Sequence, residues 1–274
     1  MNDGQGLYVL QQASNEDKAV KEIKDIRSTL TPHVSLLIPA YNEERRIGAT
    51  LKDWLTYLDS KYDESYEVLV IMDGCTDKVV SVVRKLAKSH NPIISLYQPK
   101  KLGKGGALIE AIKRAAGDVL ILIDADGSMP VDEITKLMEY VGDYDLVVGS
   151  RYVDSSIILT KRPLKRVLCS RAFNVLVRLL FWRLNKIRDT QCGCKVLKRK
   201  VARIIGNSLF ISDFAFDVNL IYSTLQHGFR VKEVGIKWSH RETDSKVSNK
   251  LWKISLAMFF SIVKLRIFYS RHLF

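Results

Sequence analysis

Cysteine is scarce in this chain: four in 274 residues, at Cys75, Cys169, Cys192 and Cys194. Their spacing matches no disulfide framework. Cys192-x-Cys194 is too close for an easy mutual bridge, and no second pair completes a zinc site. The expectation is reduced thiols in a protein that faces the cytosol. No secretory signal is expected either, since no basic segment followed by a long apolar stretch is visible near residue 1. Long hydrophobic runs are lacking too. Ile254 to Val263 is uncharged but only ten residues long, between Lys253 and Lys264. Spanning a bilayer takes roughly 20 apolar residues, so this stretch suits attachment at a membrane interface, with its lysines snorkelling. No internal repeat or low-complexity tract is present.

Acids nearly vanish from two stretches of the second half. Lys161 to Arg203 holds fourteen Lys or Arg and one acid, Asp189. From Lys246 onward there are six Lys or Arg and no acid. The front half is close to neutral, so the net charge of +13 belongs to a back half rich in large apolar residues. Such a surface calls for anionic partners: phosphates, nucleic acid or an acidic membrane. No helix-turn-helix, zinc finger or aromatic RNA platform accompanies it, and acids at strand ends repel a phosphate backbone. Nucleic acid is therefore not the expected partner.

What is present begins with a polar leader, residues 1–32, carrying a helical stripe of Val20, Ile23, Ile26 and Leu30. From Val34 strands and helices alternate. Strands are expected at 34–38, 67–72, 93–97, 118–123 and 145–149. Helices are expected at 43–58, 77–89, 104–116 and 131–141. This pattern predicts a mostly parallel, doubly wound sheet flanked by helices, whose ligand crevice lies at the carboxyl ends of the strands. Further helices are expected at 164–182, 214–226 and 250–269, with a strand at 231–238.

Asp124-Ala125-Asp126 ends the apolar run Val119 to Ile123. Two carboxylates leaving a buried strand project into a crevice, and hard oxygen ligands suit Mg²⁺ or Mn²⁺ held with a diphosphate. The plain alternative is an acidic turn. Asn42 and Asp73 fall at two other strand ends. Asn42 reads equally as a helix N-cap. Gly103-Lys104-Gly105-Gly106 opens a helix, where glycines permit close backbone approach and the helix N-terminus favours an anion. It does not fit the P-loop pattern. Arg151 follows another strand end and suits either a phosphate or an ion pair with a site carboxylate. Arg171 and Arg178 lie seven apart, on one face of an apolar helix. With Lys161, Arg162, Lys165 and Arg166 they are suited to anionic headgroups.

Pro39-Ala40-Tyr41-Asn42-Glu43, Asp73-Gly74-Cys75-Thr76-Asp77, Lys104-Gly105-Gly106-Ala107, Asp124-Ala125-Asp126 and Gly149-Ser150-Arg151 occur in an order that resembles the inverting family 2 glycosyltransferases, which have a GT-A fold. Asp189-Thr190-Gln191-Cys192-Gly193, Phe216-Asp217-Val218 and Asp244-Ser245-Lys246 resemble the dolichyl-phosphate glucose and mannose synthases, most closely the glucose branch. The resemblance covers roughly 34–246.

It implies transfer of a hexose from a nucleotide diphosphate sugar to dolichyl or polyprenyl phosphate, with inversion. UDP-glucose is favoured; GDP-mannose, or a soluble or protein acceptor, stays open. Pro39, Tyr41, Glu43, Asp73, Lys104, Gly105, Asp124 and Lys246 would bind the nucleotide sugar. Asp126, with Asp124, would hold Mg²⁺ or Mn²⁺. Asp217, Asp126 and Arg151 would be catalytic. Arg151, Asp189, Gln191, Arg171, Arg178, Ser245 and Lys246 would meet the acceptor phosphate or lipid. His240 lies in the same polar loop as Lys246, and a lone loop histidine is more often simply exposed. Two residues depart from the pattern: Cys194 stands where an aromatic is common, and Asn219 where an acid is common. The implied layout is a nucleotide half (33–151), an acceptor half (152–249) and an amphipathic interface helix (250–274). The chain would sit on the cytoplasmic face of a membrane, as a peripheral or monotopic protein, with a homodimer left open.

Overall fold

In a computed structural model of the chain, residues 32–63, 65–160, 163–239 and 251–271 are described. They form three layers around a seven-stranded sheet. The strands are β1 (Val34–Ala40), β2 (Tyr66–Asp73), β3 (Ile93–Gln98), β4 (Val119–Leu122), β5 (Leu146–Ser150), β7 (Lys195–Lys198) and β8 (Val231–Gly235), in the order β3-β2-β1-β4-β7-β5-β8. A separate pair joins β6 (Ile157–Thr160) to β9 (Lys237–Ser239). The helices are α1 (Ile47–Tyr62), α2 (Val79–Ser89), α3 (Lys104–Arg114), α4 (Glu133–Met138), α5 (Leu164–Leu180), α6 (Arg199–Ile205), α7 (Phe216–Gln226) and α8 (Leu251–Arg271).

β2 and β4 are buried along their whole length, and β1 nearly so. Covering both faces of a parallel sheet demands such unbroken apolar runs. Alternate residues feed opposite layers. Leu37 and Leu122 join one core with α3, α7 and the inner face of α8; Leu36, Ile38 and Ile121 join the other with α1, α2 and α4.

The order reverses between β1 and β4, which pair in parallel as Leu37↔Leu122. In such sheets ligands bind at this switch point. β4 is the strand that delivers Asp124.

Several boundaries differ from the expected ones, for physical reasons. The helix expected from Glu43 starts at Ile47, because Asn42 takes a left-handed conformation (φ 55°) and a turn follows it. The expected strand at 231–238 is divided at Ile236. Its N–H bonds the Ser150 carbonyl in one sheet, and its carbonyl accepts from Ile157 in the other. β6, β7 and α6 were not expected. β7 runs antiparallel between β4 and β5.

α5 and α8 each turn one side inward. Val177 of α5, and Ile262 and Leu265 of α8, are fully buried. Outward they show Leu164, Leu168 and Leu179, and Trp252 and Phe260, each more than half exposed. No helix among the described residues is long and apolar enough to cross a membrane.

Candidate active site

The loops after β1 and β2 are laced together. The Asn42 carboxamide oxygen accepts the Thr76 N–H at 2.7 Å, and its Nδ2 donates to Thr76 Oγ1 at 3.0 Å. Asn42 therefore binds the neighbouring loop and leaves the helix after it uncapped. Glu43 is paired with Arg46. Tyr41 is partly exposed, and the Lys101 ammonium stands 3.3 Å over its ring.

Asp73 is buried, and its carboxylate takes the N–H groups of Leu102 (2.6 Å) and Gly103 (2.9 Å). Its observed work is to anchor the glycine-rich loop. Gly103 sits at φ 88°, open to glycine at little cost. Gly105 is buried, and a Cβ there would run into the Ile211 carbonyl and Phe216. Its small size thus serves the packing of α3 on residues 211–216.

Ala125 is buried and its carbonyl accepts from Thr50 of α1 at 3.1 Å. With the middle residue held inward, the acids on either side reach a cleft also lined by Trp54, Gly193 and Trp238. Asp126 Oδ1 accepts the Ser128 N–H at 2.9 Å. Asp124 Oδ1 lies 2.9 Å from Lys104 Nζ, which lies 3.3 Å from Asp217 Oδ2; Asp217 Oδ1 is 2.6 Å from Lys195 Nζ. Four charges of alternating sign thus run from the cleft into the core. Burial pushes the Asp124 carboxyl up, but Lys104 above all, with Lys195 and Arg151, outweighs it and holds the group below the usual carboxylate range. Burial likewise opposes the charge on Lys104, yet Asp124 and Asp217 raise it above an ordinary lysine.

Lys195 escaped the sequence reading. It is fully buried, on the central strand β7. The available signal was a lysine inside the run Cys194 to Leu197, next to the motif at 189–193.

Arg151 and Asp189 form a two-pronged pair: Nε to Oδ2 at 2.7 Å, Nη2 to Oδ1 at 2.8 Å. Burial works against both charges, but each partner outweighs it, so Asp189 is held low and Arg151 high. Of the two roles open to Arg151, the ion pair is the one present. The guanidinium also lies 5.6 Å from the Tyr152 ring and 5.7 Å from that of Trp238, and Arg171 of α5 lies 5.9 Å from Tyr152. Gln191 donates its N–H to Asp189. Thr190 bonds the Asn174 side chain of α5 through both N–H and hydroxyl. Arg178 donates instead to the Asn174 carbonyl, within its own helix. Asn219 is buried, spanning Phe210, Ile211, Ser208 and Ser223, and serves as a structural tie. Lys246, Ser245, His240, Lys161, Arg162 and residues 1–31 lie outside the described residues, as do the side chains of Lys165 and Arg166.

Among the described residues no three His, Cys, Asp or Glu side chains cluster as a metal cage. Mg²⁺ and Mn²⁺ do not require one. Such ions use one or two carboxylates and take their remaining ligands from water and substrate phosphate. Asp124 and Asp126, on one cleft wall, fit that donor set.

Mannosyl-3-phosphoglycerate synthase from Rubrobacter xylanophilus superposes with a TM-score of 0.65 at 19% identity, covering 88% of this chain and 75% of that one. Glucosyl-3-phosphoglycerate synthase from Mycobacterium tuberculosis, in complex with Mn²⁺, UDP and glucosyl-3-phosphoglycerate, gives 0.63 at 19%, covering 90% and 83%. The fold is the α/β, GT-A-like fold, and the protein is a glycosyltransferase. Residues 35–206 match the model of glycosyl transferase family 2. The chain belongs to that family. It is 31% identical to the dolichyl-phosphate beta-glucosyltransferase of Drosophila melanogaster, covering 85% of this chain and 79% of that protein. For the Homo sapiens protein of the same name the values are 30%, 86% and 76%. Glycosyltransferase AglD of Haloferax volcanii is 35% identical over 217 residues, and the match spans only 34% of its length.

Proposed function

We propose that this chain transfers glucose from UDP-glucose to dolichyl or polyprenyl phosphate, with inversion, at the cytoplasmic face of a membrane to which it attaches peripherally. The observation that carries this reading is the placement of Asp124 and Asp126 on one wall of the switch-point cleft, beside the Lys104 ammonium. The names of the similar dolichyl-phosphate beta-glucosyltransferases support the sugar and the acceptor. The apolar outer faces of α5 and α8 support a lipid surface nearby.

The acceptor phosphate is largely ionised near neutral pH. Its oxygen attacks the anomeric carbon as the bond from that carbon to the diphosphate breaks on the opposite side, so a β-linked lipid-phosphate sugar and a free nucleoside diphosphate result. Asp126 and Asp124 would hold Mg²⁺ or Mn²⁺, which supplies positive charge against the departing diphosphate. Lys104, 2.9 Å from Asp124 Oδ1, adds a positive charge beside that wall. Asp189 holds Arg151 in a two-pronged pair near the Tyr152 and Trp238 rings, from where Arg151 would meet the acceptor phosphate. Lys246 and Ser245 would close over the donor.

The test is incubation with a panel of nucleotide sugars, a polyprenyl phosphate and Mn²⁺, with the lipid product identified by mass. A hexosyl lipid phosphate formed from UDP-glucose is the expected result. Product from GDP-mannose alone would change the donor. Transfer only to soluble acceptors would overturn the proposal.

A further inference from the structure

Lys195 has no exposed surface, and nothing in the reaction proposed above uses it. Burying an ammonium is unfavourable unless it is paired and hydrogen-bonded. This one donates to Asp217 Oδ1 at 2.6 Å and to the Cys192 carbonyl. Both partners lead to the cleft. Asp217 holds Lys104 through its other oxygen. Cys192 precedes Gly193, whose Cα lies so near the Asp124 carboxylate that a Cβ could not fit. One buried cation thus stands behind both members of the Lys104–Asp124 pair.

Asp217 is correspondingly occupied, since each of its oxygens already accepts from a different lysine. A general base needs hydrogen-bond reach to a proton on the attacking group, and an ionised phosphate brings none.

We propose that Lys195 is a positioning residue for sugar transfer. Its ion pair with Asp217 and its bond to Cys192 set Lys104 and Asp124 against the donor diphosphate, and Asp217 holds cations and takes no proton. The inference rests on the donor site assigned above.

The experiment compares Lys195→Met, Asp217→Asn and the double variant for kcat, donor KM and melting temperature. Asp217→Asn strands the buried Lys195 ammonium, and Lys195→Met leaves one oxygen of Asp217 without its partner, so each is expected to melt lower than the wild type. Displacing Lys104 and Asp124 by a fraction of an ångström should lower kcat about tenfold to a hundredfold, with a smaller change in donor KM. The double variant removes both charges and lets the new carboxamide oxygen at position 217 face Lys104. It should melt higher and turn over faster than either single variant. Asp217→Asn abolishing transfer while the double variant gains nothing over it would overturn the proposal and restore a base role. Melting is measured without substrate, so it reports on the ion pair even where the wild type transfers no sugar. That last outcome would overturn the donor assignment instead.

Discussion

Gly193 lies directly against the Asp124 carboxylate, with no room for a side chain between them. The turn at 192–194 is therefore a wall that sets how far Asp124 can withdraw from the cleft. Gly193→Ala should push the carboxylate out of line with Lys104. Overpacking costs about 1–3 kcal/mol, and a misplacement of about 1 Å can lower turnover about a hundredfold. The measurement is transfer rate together with melting temperature; wild-type turnover in the alanine variant would show that the wall yields freely.

Asp126→Ala tests the metal assignment. Asp126 lines the cleft and, among the described residues, accepts the local Ser128 N–H. The variant should fold with a melting temperature close to that of the wild type and lose transfer with either Mg²⁺ or Mn²⁺. Retained transfer would remove Asp126 from the ligand set.

The pair Arg151–Asp189 sets an acid limit on stability. Asp189 is fully buried and its carboxyl is held below the ordinary value near 4. A depressed folded value means that the stabilisation is present above about pH 4 and is lost as pH falls through the lower folded value. Asp189→Ala leaves a buried guanidinium unpaired and should cost about 3–5 kcal/mol at neutral pH. Its acid-unfolding profile should be flatter below pH 4 than that of the wild type. Parallel profiles would show that another carboxylate governs the transition.

The lipid surface is tested by charge reversal. Arg171→Glu with Arg178→Glu should weaken binding to anionic liposomes, at about 1 kcal/mol per basic residue near the surface, while nucleotide binding changes little. Because Arg178 bonds the Asn174 carbonyl and Arg171 lies near Tyr152, the Arg171 variant alone is expected to show the larger part. Equal loss of liposome and nucleotide binding would indicate a folding role.

Thiol reactivity should follow burial. Cys192 is pushed up to about 11 by burial, then by Asp189, and Cys194 well above the ordinary range. Cys169 is exposed on α5. A maleimide should label Cys169 first and Cys192 and Cys194 only on unfolding. Rapid labelling at 192 or 194, read by peptide mass, would contradict the closed wall around Asp124.

The parallel core was legible because each of its strands is a short apolar run followed by punctuation: Pro39 to Glu43, Asp73-Gly74, Asp124 to Gly127. The placement of the acids at 124 and 126 on a cleft was legible for the same reason, since a buried strand that ends in charge must leave the core, although the run alone left a plain acidic turn open. β7 was not. Lys195 to Lys198 is too short and too basic to read as a central strand, and the bonds of Lys195 to Asp217 and to the Cys192 carbonyl make that buried position tolerable. The contacts that Asp73 and Gly105 make within the chain were also hidden. An acid or a glycine at a strand or helix end has the same appearance whether it meets a ligand or its own backbone, and here Asp73 meets the amides of Leu102 and Gly103.

The insertion of β7 has a consequence for dissecting the molecule. β4 and β5 share no ladder with each other; both rely on a strand contributed by residues 195–198. A fragment truncated after residue 151 would lose β8 as well as β7, leaving β4 with one bare edge and β5 with no partner on either side, and so inviting pairing with other chains. Expressed alone, such a piece should aggregate. Supplied with the complementary piece, it should recover by taking up the missing strands β7 and β8.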